Sequence, residues 1–218
     1  MTSSTANAAT TPARPNRMER RRLETRNKLL EATLQLVVEK GIEKTTLDDI
    51  TEAADLGRRT FYYHFQGKDE CIQAAAAAVY QRHAQRVDEE QSMDDICQLV
   101  ALSVQDILGK LLEEPVTRCL VGRPRLLGEA IMTALGGFIR RDITVGMAEG
   151  TFDPPVDPDM LDRLILWTVV GVVIESLDTE RAREVSLRDY AQTFLMILGV
   201  PADEARTAAD AARDAIAD

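Results

Sequence analysis

The sequence predicts an all-α protein, and three observations carry that prediction. Glycine and proline divide the 218 residues into segments whose apolar side chains recur with the spacing of amphipathic helices. No segment alternates apolar and polar residues as a half-buried strand does. From residue 68 onward the segments are long and the breaks between them are short, as at "TFDPPVDP". The chain therefore begins with short helices and continues as a larger body of long ones.

Three helices are predicted in the first part. The first covers residues 18–40 and ends at Gly41, and its apolar side carries Leu29, Leu30, Leu34 and Val37. The second begins at Thr45 or Thr46, either of which can cap it, and buries Leu47, Ile50 and Ala54. The third covers residues 57–65 after the tight turn "ADLG". Two short helices joined by a tight turn are the pattern of a helix-turn-helix.

The larger body is predicted to consist of long helices followed by a loosely packed C-terminal tail. They cover residues 68–90, 93–114, a short piece from 115, 123–149, 158–177 and 184–199. The alanine-rich tail "PADEARTAADAARDAIAD" predicts a final helix that packs loosely or frays. At the other end, residues 1–16 are small and polar, contain two prolines and lack the apolar stretch of a signal peptide. We expect these residues to be a disordered leader.

Composition and motifs exclude several classes of function. The longest apolar run, residues 164–174, is far shorter than the roughly 20 residues of a membrane helix, so we expect no membrane partner. The two histidines, His64 and His83, belong to no metal-site pattern, and the sequence has no phosphate loop, serine elbow or HExxH motif. We therefore expect no metal, no cofactor and no enzyme activity. The odd number and wide spacing of the cysteines suit reduced, buried thiols in a cytoplasm: Cys71, Cys97 and Cys119.

Charge is distributed unevenly along the chain. The net charge is −10, yet residues 1–74 hold 12 Lys and Arg against 11 Asp and Glu, whereas residues 75–218 hold 14 against 25. Residues 14–28 alone carry seven positive charges and two negative ones. A basic arm before an acidic body is typical of nucleic-acid binding at one end, although a solvated basic helix face would give the same pattern.

A helical wheel separates two faces of the third helix. With Phe61 at the centre of the buried face, Phe65 falls beside it, whereas Arg59 and Tyr63 fall almost opposite. Thr60 and Tyr62 flank the outward pair, and Arg58 and His64 lie at the edges. Arginine can bond guanine O6 and N7, and tyrosine and threonine can contact a thymine methyl or a phosphate. The pattern indicates base reading at the centre and phosphate contacts beside it, because a plain core helix would not turn its polar side chains away from Phe61.

The stretch "TTLDDITEAADLGRRTFYYHFQGKDE" resembles the DNA-binding signature of the TetR (tetracycline-repressor) family of bacterial transcriptional regulators. The likeness is close over residues 18–72, and beyond them it rests on helix number, helix length and "EGTFDPPVDPDMLDRLI". The resemblance implies an all-helical homodimer. Each chain would have an N-terminal three-helix helix-turn-helix DNA-binding domain and a larger helical ligand-binding and dimerisation domain. Repression would be relieved by a small molecule.

The resemblance also implies DNA-contact roles for individual residues. It implies a phosphate contact by Thr46, a major-groove position for residues 58–63 and backbone contacts by His64 and Lys68. The expected DNA-binding residues are thus Thr46, Arg58, Arg59, Thr60, Tyr62, Tyr63, His64 and Lys68. The sequence departs from the family pattern at Asp55, Gly57 and Arg59, where a turn glycine, a capping hydroxyl and a glycine are usual. Aspartate and glycine tolerate their positions, whereas Arg59 adds a charged reader.

Residues 164–174, "LILWTVVGVVI", are apolar on every side, so a helix made of them must be covered all round. A dimer supplies that cover if the helices near 160–177 and 184–199 pack on their symmetry mates as a four-helix bundle. An internal core helix is the alternative. The expected interface residues are Leu164, Trp167, Gly171, Ile174, Tyr190, Phe194 and Ile197.

An effector pocket is expected between the long helices. Its candidate lining consists of adaptable or aromatic side chains that also fit a plain core: Met93, Cys97, Met132, Phe138 and Trp167. The acidity of this part disfavours a strongly anionic ligand, unless a buried arginine such as Arg140 offsets it.

The leading hypothesis is a cytoplasmic, dimeric repressor that binds a palindromic DNA operator and is released by a small-molecule effector. Its predicted parts are a leader (1–16), a helix-turn-helix domain (17–68) and an effector-binding and dimerisation domain (69–218). A constitutive helix-turn-helix protein without effector is the second hypothesis, and a cavity large enough for a metabolite would distinguish the two. A helical enzyme with an incidental DNA-like helix is the third, and it lacks a nucleophile, metal or cofactor motif.

Overall fold

The computed structural model describes residues 16–90, 95–177 and 186–217, and within them it confirms the all-α prediction. The described residues form ten helices, whose bounds are α1 (Arg17–Lys40), α2 (Leu47–Ala53), α3 (Arg58–His64), α4 (Lys68–Glu90), α5 (Ile96–Glu113), α6 (Pro115–Leu120), α7 (Pro124–Ala148), α8 (Pro158–Leu177), α9 (Leu187–Ile197) and α10 (Ala202–Ala217). None of these helices is long and apolar enough to cross a membrane.

Both ends of α1 are set by local chemistry. The Glu19 amide donates to Asn16 Oδ1 at 2.9 Å, and the Asn16 amide donates back to Glu19 Oε2 at 2.7 Å. This capping box makes Asn16 the start of the helix and not part of a leader, while residues 1–15 lie outside the described residues. Gly41 ends α1 as the sequence predicts, with φ of +84° in the region that favours glycine.

A small core holds the first three helices together. Leu29 of α1, Ile50 of α2 and Phe61 of α3 are fully buried against each other. The first turns of α4 close this core with Cys71, whose burial raises the pKa of its thiol to about 11. The thiol is therefore a packing group at neutral pH and not a nucleophile.

The two predicted domains share apolar packing. Val37 at the end of α1 and Ile42 in the loop after it belong to the same cluster as Leu120 of α6 and Leu127 of α7. Cys119 of α6 also donates to the Val37 carbonyl, with a sulfur–oxygen distance of 3.5 Å. The helix-turn-helix is thus fixed to the larger body through α4 and α6. The boundary near residue 68 stays a prediction.

The expectation of a loose C-terminal tail is wrong. Four alanines of α10 are buried against α5 and α9: Ala205, Ala208, Ala209 and Ala212. The Gln105 side-chain amide donates to the Ala209 carbonyl at 3.0 Å, and Arg188 Nε bonds Asp210 Oδ1 at 2.7 Å. Alanines three or four residues apart form a smooth helix face, which lets neighbouring backbones approach closely.

The structure also corrects the expectation for α8 and α9. On α8, Ile165, Val169 and Val173 are buried within the chain. Only the opposite side of α8 is therefore exposed to a second chain. On α9, Tyr190 and Phe194 are buried inside the chain instead of facing outward, and Ile197 is half-buried against the cluster that contains Phe194. Because α5 and α10 cover α9, the apolar stripe that we expected at a dimer contact is used internally.

Candidate nucleic-acid interface and ligand cavity

Helix α3 has the two faces that the wheel predicts. Phe61 and Phe65 are buried in the N-terminal core, whereas Arg59 is exposed. Tyr62 and Tyr63 are 59% and 69% exposed, which is unusual for such large rings. Thr60 is half-buried beside them. The outward face of α3 therefore offers one guanidinium and two phenol groups to a partner.

The turn between α2 and α3 fixes the direction in which α3 projects. Asp55 has φ of +53°, a left-handed conformation that aspartate tolerates better than most residues. The Leu56 amide donates to the Thr51 carbonyl at 2.9 Å, and the Phe61 amide donates to the Gly57 carbonyl at 3.1 Å. Gly57 caps α3 without a side-chain hydrogen bond, so the backbone alone starts this helix.

Thr46 is exposed at the start of α2, where its hydroxyl is already engaged. The Asp49 amide donates to Thr46 Oγ1 at 3.2 Å, and Thr46 Oγ1 donates to Asp49 Oδ2 at 2.6 Å. Lys40 Nζ lies 2.8 Å from the same carboxylate. The hydrogen bonds from Lys40 and Thr46 hold the pKa of Asp49 well below its usual range. A permanent carboxylate thus fixes the N-terminus of α2.

Arg58 lies at the edge of the face, as the wheel predicts, and is paired with α2. Its Nε and Nη2 donate to the two carboxylate oxygens of Asp48, at 2.6 and 2.5 Å. The pair raises the pKa of Arg58, and both side chains are exposed. This bidentate contact ties α3 to α2 and orients the guanidinium along the edge of the motif.

Lys68 holds the protein's own backbone. Its Nζ donates to the carbonyls of Ile42 and Thr45 at 3.0 and 2.9 Å, so the first residue of α4 anchors the loop between α1 and α2. The ammonium has three protons, and one is left for an external acceptor. Sequence reasoning missed this second role because both partners are main-chain atoms.

The basic part of α1 packs against the end of α3, a contact that sequence reasoning missed. The Arg22 guanidinium lies 5.7 Å from the Tyr63 ring centre, and the Arg26 guanidinium lies 4.9 Å from that of Phe65. Burial, then Arg22 and Arg26, lower the pKa of His64. Both effects favour the neutral form of the imidazole. The basic run in residues 14–28 was the sequence feature that could have pointed to this contact.

A narrow apolar cavity lies in the larger body, between α4, α5, α7, α8 and α9. It has about 80 Å³ of free space, and its walls include Val87, Leu99, Ile107, Phe138, Val169 and Phe194. Polar side chains interrupt these walls, Ser103 among them, and two polar features bear on ligand binding. The first is the Tyr190 hydroxyl, which is buried and has no hydrogen-bond partner among the described protein atoms.

The second polar feature is a charged cluster. Arg141 Nη2 lies 2.6 Å from Asp88 Oδ1 and 2.8 Å from Asp142 Oδ1, and its guanidinium is 5.6 Å from the Phe138 ring centre. Burial raises the pKa of the Asp142 carboxyl, against the lowering effect of Arg141. The hydrogen bond with Asp88 raises the pKa of Arg141. The cavity therefore has an apolar wall, the free Tyr190 hydroxyl, and two carboxylates, Asp88 and Asp142, that both bond Arg141.

Of the four predicted lining residues that the structure describes, Phe138 alone lines this cavity. Cys97 is buried in the separate α5–α9–α10 core, and burial raises the pKa of its thiol to about 11. Met132 lines a shallow surface notch on α7, and Trp167 is exposed on α8. Met93 lies outside the described residues. Arg140, considered as a buried cation, is exposed and paired with Asp162.

Comparison with known proteins identifies the N-terminal motif. Residues 29–75 match the model of the bacterial regulatory proteins of the tetR family. Over 107 residues the chain is 26% identical to the HTH-type transcriptional regulator TcmR of Streptomyces glaucescens, and over 73 residues it is 33% identical to TtgR of Pseudomonas putida. The N-terminal motif is that of the TetR family.

The similarity to these regulators is uneven along the chain. The matched regions cover 49% and 34% of this chain, and they span 47% of TcmR and 35% of TtgR, so the chain spans about half the length of the first relative and about a third of the second. In three dimensions the likeness extends further. The structure of RolR in complex with resorcinol matches with a TM-score of 0.72 and 25% identity, covering 87% of this chain and 95% of that one. The relatives are transcriptional regulators and not enzymes, in agreement with the sequence prediction.

Proposed function

We propose that this TetR-family protein is a cytoplasmic homodimeric repressor that binds a palindromic operator through α3 and releases it when an effector enters the cavity. The outward face of α3 is the observation that carries the proposal. Phe61 and Phe65 fix the helix from behind, so Arg59, Tyr62 and Tyr63 are free to enter a major groove.

The DNA contacts divide into two kinds. Arg59 and Tyr63 at the centre of the face would read base edges, with Thr60 and Tyr62 beside them. Contacts to the DNA backbone would come from Arg58 beside Asp48 and from Lys68 through its remaining proton. Thr46 would join them once its hydroxyl turns its single proton from Asp49 to a phosphate. His64 would contribute a hydrogen bond from its ring.

A homodimer is required for a palindromic site, because two copies of α3 must meet successive major grooves about 34 Å apart. An exposed apolar row on α8 supports dimerisation. It contains the predicted interface residues Trp167 and Gly171, both exposed, and the half-buried Leu164 and Ile174.

The cavity is proposed as the effector site. A benzene-sized ligand needs a cavity of roughly 150 Å³, about twice the space present, so a ligand must move helices apart to enter. Helix α4 connects the two regions, since Cys71 belongs to the N-terminal core and Val87 lines the cavity. Ligand entry would therefore favour a conformation in which the two copies of α3 no longer fit the operator.

The chemistry of the walls favours a small uncharged aromatic ligand with hydroxyl groups. Phe138 provides a ring surface, the free Tyr190 hydroxyl can bond a ligand oxygen, and Asp142 can accept a ligand O–H. The similarity to RolR, whose structure contains resorcinol, supports the same class. In a constitutive DNA-binding protein without effector, an unpartnered hydroxyl in an apolar cavity would destabilise the fold with no function in return.

Footprinting of the DNA beside the protein's own gene, with and without resorcinol, tests the proposal. We expect a protected palindrome that resorcinol or a related dihydroxybenzene uncovers. Arg59→Ala serves as the control that loses the footprint while the cavity is intact. Protection that no dihydroxybenzene affects would favour the constitutive protein, and absence of any protected site would contradict a repressor acting there.

A further inference from the structure

The first turns of α1 are exposed on all sides. Every residue from 16 to 24 is exposed, and this includes two large apolar side chains, Met18 at 82% and Leu23 at 53%. The capping box at Asn16 nevertheless holds this stretch as helix, because it pairs amides that a helix start leaves without partners. The protein thus presents a preformed length of helix that belongs to none of the apolar clusters of the described chain.

This part of α1 is strongly basic, and its charges are not neutralised within the described chain. Residues 17–28, the basic segment, contain six Lys and Arg against two Glu, and Glu19 is used by the capping box. The ion pairs among the described residues involve other arginines, and none of them includes Arg17, Arg20 or Arg21. Like charges three or four residues apart destabilise an isolated helix. An anionic partner would remove that repulsion.

Helix α1 runs past the end of α3 in the direction of the proposed DNA. The Arg26 guanidinium lies 4.9 Å from the ring centre of the buried Phe65, and one turn earlier the Arg22 guanidinium lies 5.7 Å from that of the exposed Tyr63. The path toward the start of α1 therefore leads from the buried face of α3 to its outward face. At about 1.5 Å per residue, Arg17 lies about 7.5 Å further along. The first turns of α1 thus extend beyond the surface that would enter the major groove.

The side chains of the basic segment point in directions that suit phosphate and not lipid. Arg22 marks the side of α1 that faces α3, and Arg17 and Arg21 lie four residues apart in one row, about 100–140° round the helix from it. Their exposed guanidinium groups can reach a phosphate without disturbing Arg22. Met18 and Leu23 lie about 140° apart, so they do not form the single apolar face with which a helix binds a lipid surface.

We propose that the basic segment is a second DNA contact, in which Arg17 and Arg21 bind backbone phosphates beside the major groove that α3 enters. The inference rests on the proposed function and adds phosphate contacts outside the helix-turn-helix. Guanidinium groups bind phosphate bidentately, and such contacts add affinity and salt dependence without base preference. They also offset the repulsion between DNA and the acidic remainder of the chain, in which residues 75–218 hold 14 Lys and Arg against 25 Asp and Glu.

The salt dependence of DNA binding tests the proposal. The full wild-type chain first selects duplexes from a random-sequence library, and the selected duplex is the probe in every later measurement. Replacing both arginines, Arg17→Gln with Arg21→Gln, should lower the slope of log affinity against log salt concentration by about two units per protomer, and lower affinity at about 0.1 M salt at least about tenfold. Base preference across the library and Tm should not change, because both side chains are exposed and form no ion pair among the described residues.

Phosphate ethylation interference locates the contact. Some phosphates should block wild-type binding when ethylated but have no effect on the double variant, and they should lie beside the base pairs at which Arg59→Ala relaxes preference. The matched control removes two exposed arginines of α10, Arg206→Gln with Arg213→Gln. It should keep the wild-type slope and interference pattern.

A double variant with the wild-type slope and interference pattern overturns the contact, and the basic segment is then a solvated helix face. If that variant instead loses binding to phosphatidylglycerol vesicles, the partner is a lipid surface. An equal loss of DNA affinity in the α10 control would show a general effect of net charge and would also overturn the contact. The repressor stands in all three cases. A wild-type chain that selects no duplex overturns the proposed function together with this contact.

Discussion

Replacing Tyr190 by phenylalanine should stabilise the protein and weaken effector binding at the same time. The side chain is 7% exposed, and its hydroxyl has no hydrogen-bond partner among the described protein atoms. A buried polar group without a partner costs about 1–3 kcal/mol, and phenylalanine removes that cost without changing the shape of the ring. Taking the lower end, we expect the free energy of unfolding to rise by about 1 kcal/mol, or about 2–4 °C in Tm for a chain of this length.

Tyr80→Phe is the matched control, because it makes the same change at a buried tyrosine that does have a partner. The Tyr80 hydroxyl lies 2.9 Å from Thr117 Oγ1, and both side chains are fully buried. Phenylalanine would leave the threonine hydroxyl unpaired, at a cost of about 1–3 kcal/mol. The two substitutions should therefore change Tm in opposite directions in thermal and urea unfolding.

Effector binding supplies the second half of this test. If the Tyr190 hydroxyl bonds the ligand, its loss should weaken resorcinol binding by about 0.5–1.5 kcal/mol, which is roughly two- to tenfold in dissociation constant by calorimetry. Tyr190→Phe destabilising the protein as much as Tyr80→Phe would refute the reasoning about stability. Unchanged resorcinol affinity would refute the assignment of the hydroxyl to ligand binding.

Three further substitutions concern the N-terminal domain. Arg59→Ala should cost about 1–3 kcal/mol on the best operator and relax preference at one base pair per half-site, measured on an operator library; a uniform loss across sequences would contradict base reading. Lys68→Ala should weaken binding to all DNA sequences alike and reduce the salt dependence of binding by about one unit per lost phosphate contact. It should also lower Tm, because the Ile42 and Thr45 carbonyls lose their donor, and an unchanged Tm would argue against the anchoring role. Asp55→Gly should raise the free energy of unfolding by about 0.5–1 kcal/mol in urea titration, since glycine adopts the positive φ without strain, and a decrease would show that the carboxylate is needed there.

The sequence by itself determined the helix-turn-helix. The positions of Phe61 and Arg59 on opposite faces of α3 follow from helical periodicity. Gly41 ends α1 through its backbone conformation, and Thr46 starts α2 through its capping side chain. These features depend on residues within a few positions of each other. The motif could therefore be predicted without knowing what packs against it.

Tertiary structure alone decided the rest of the site. The sequence shows that Tyr190 and Trp167 are apolar, but which of them lines a cavity and which remains on the surface depends on the helices that cover α9 and leave part of α8 bare. The same holds for Lys68, whose backbone partners lie 23 and 26 residues away, and for the alanine face of α10. A local pattern sets what a side chain can do, whereas packing between distant helices selects which partner it meets.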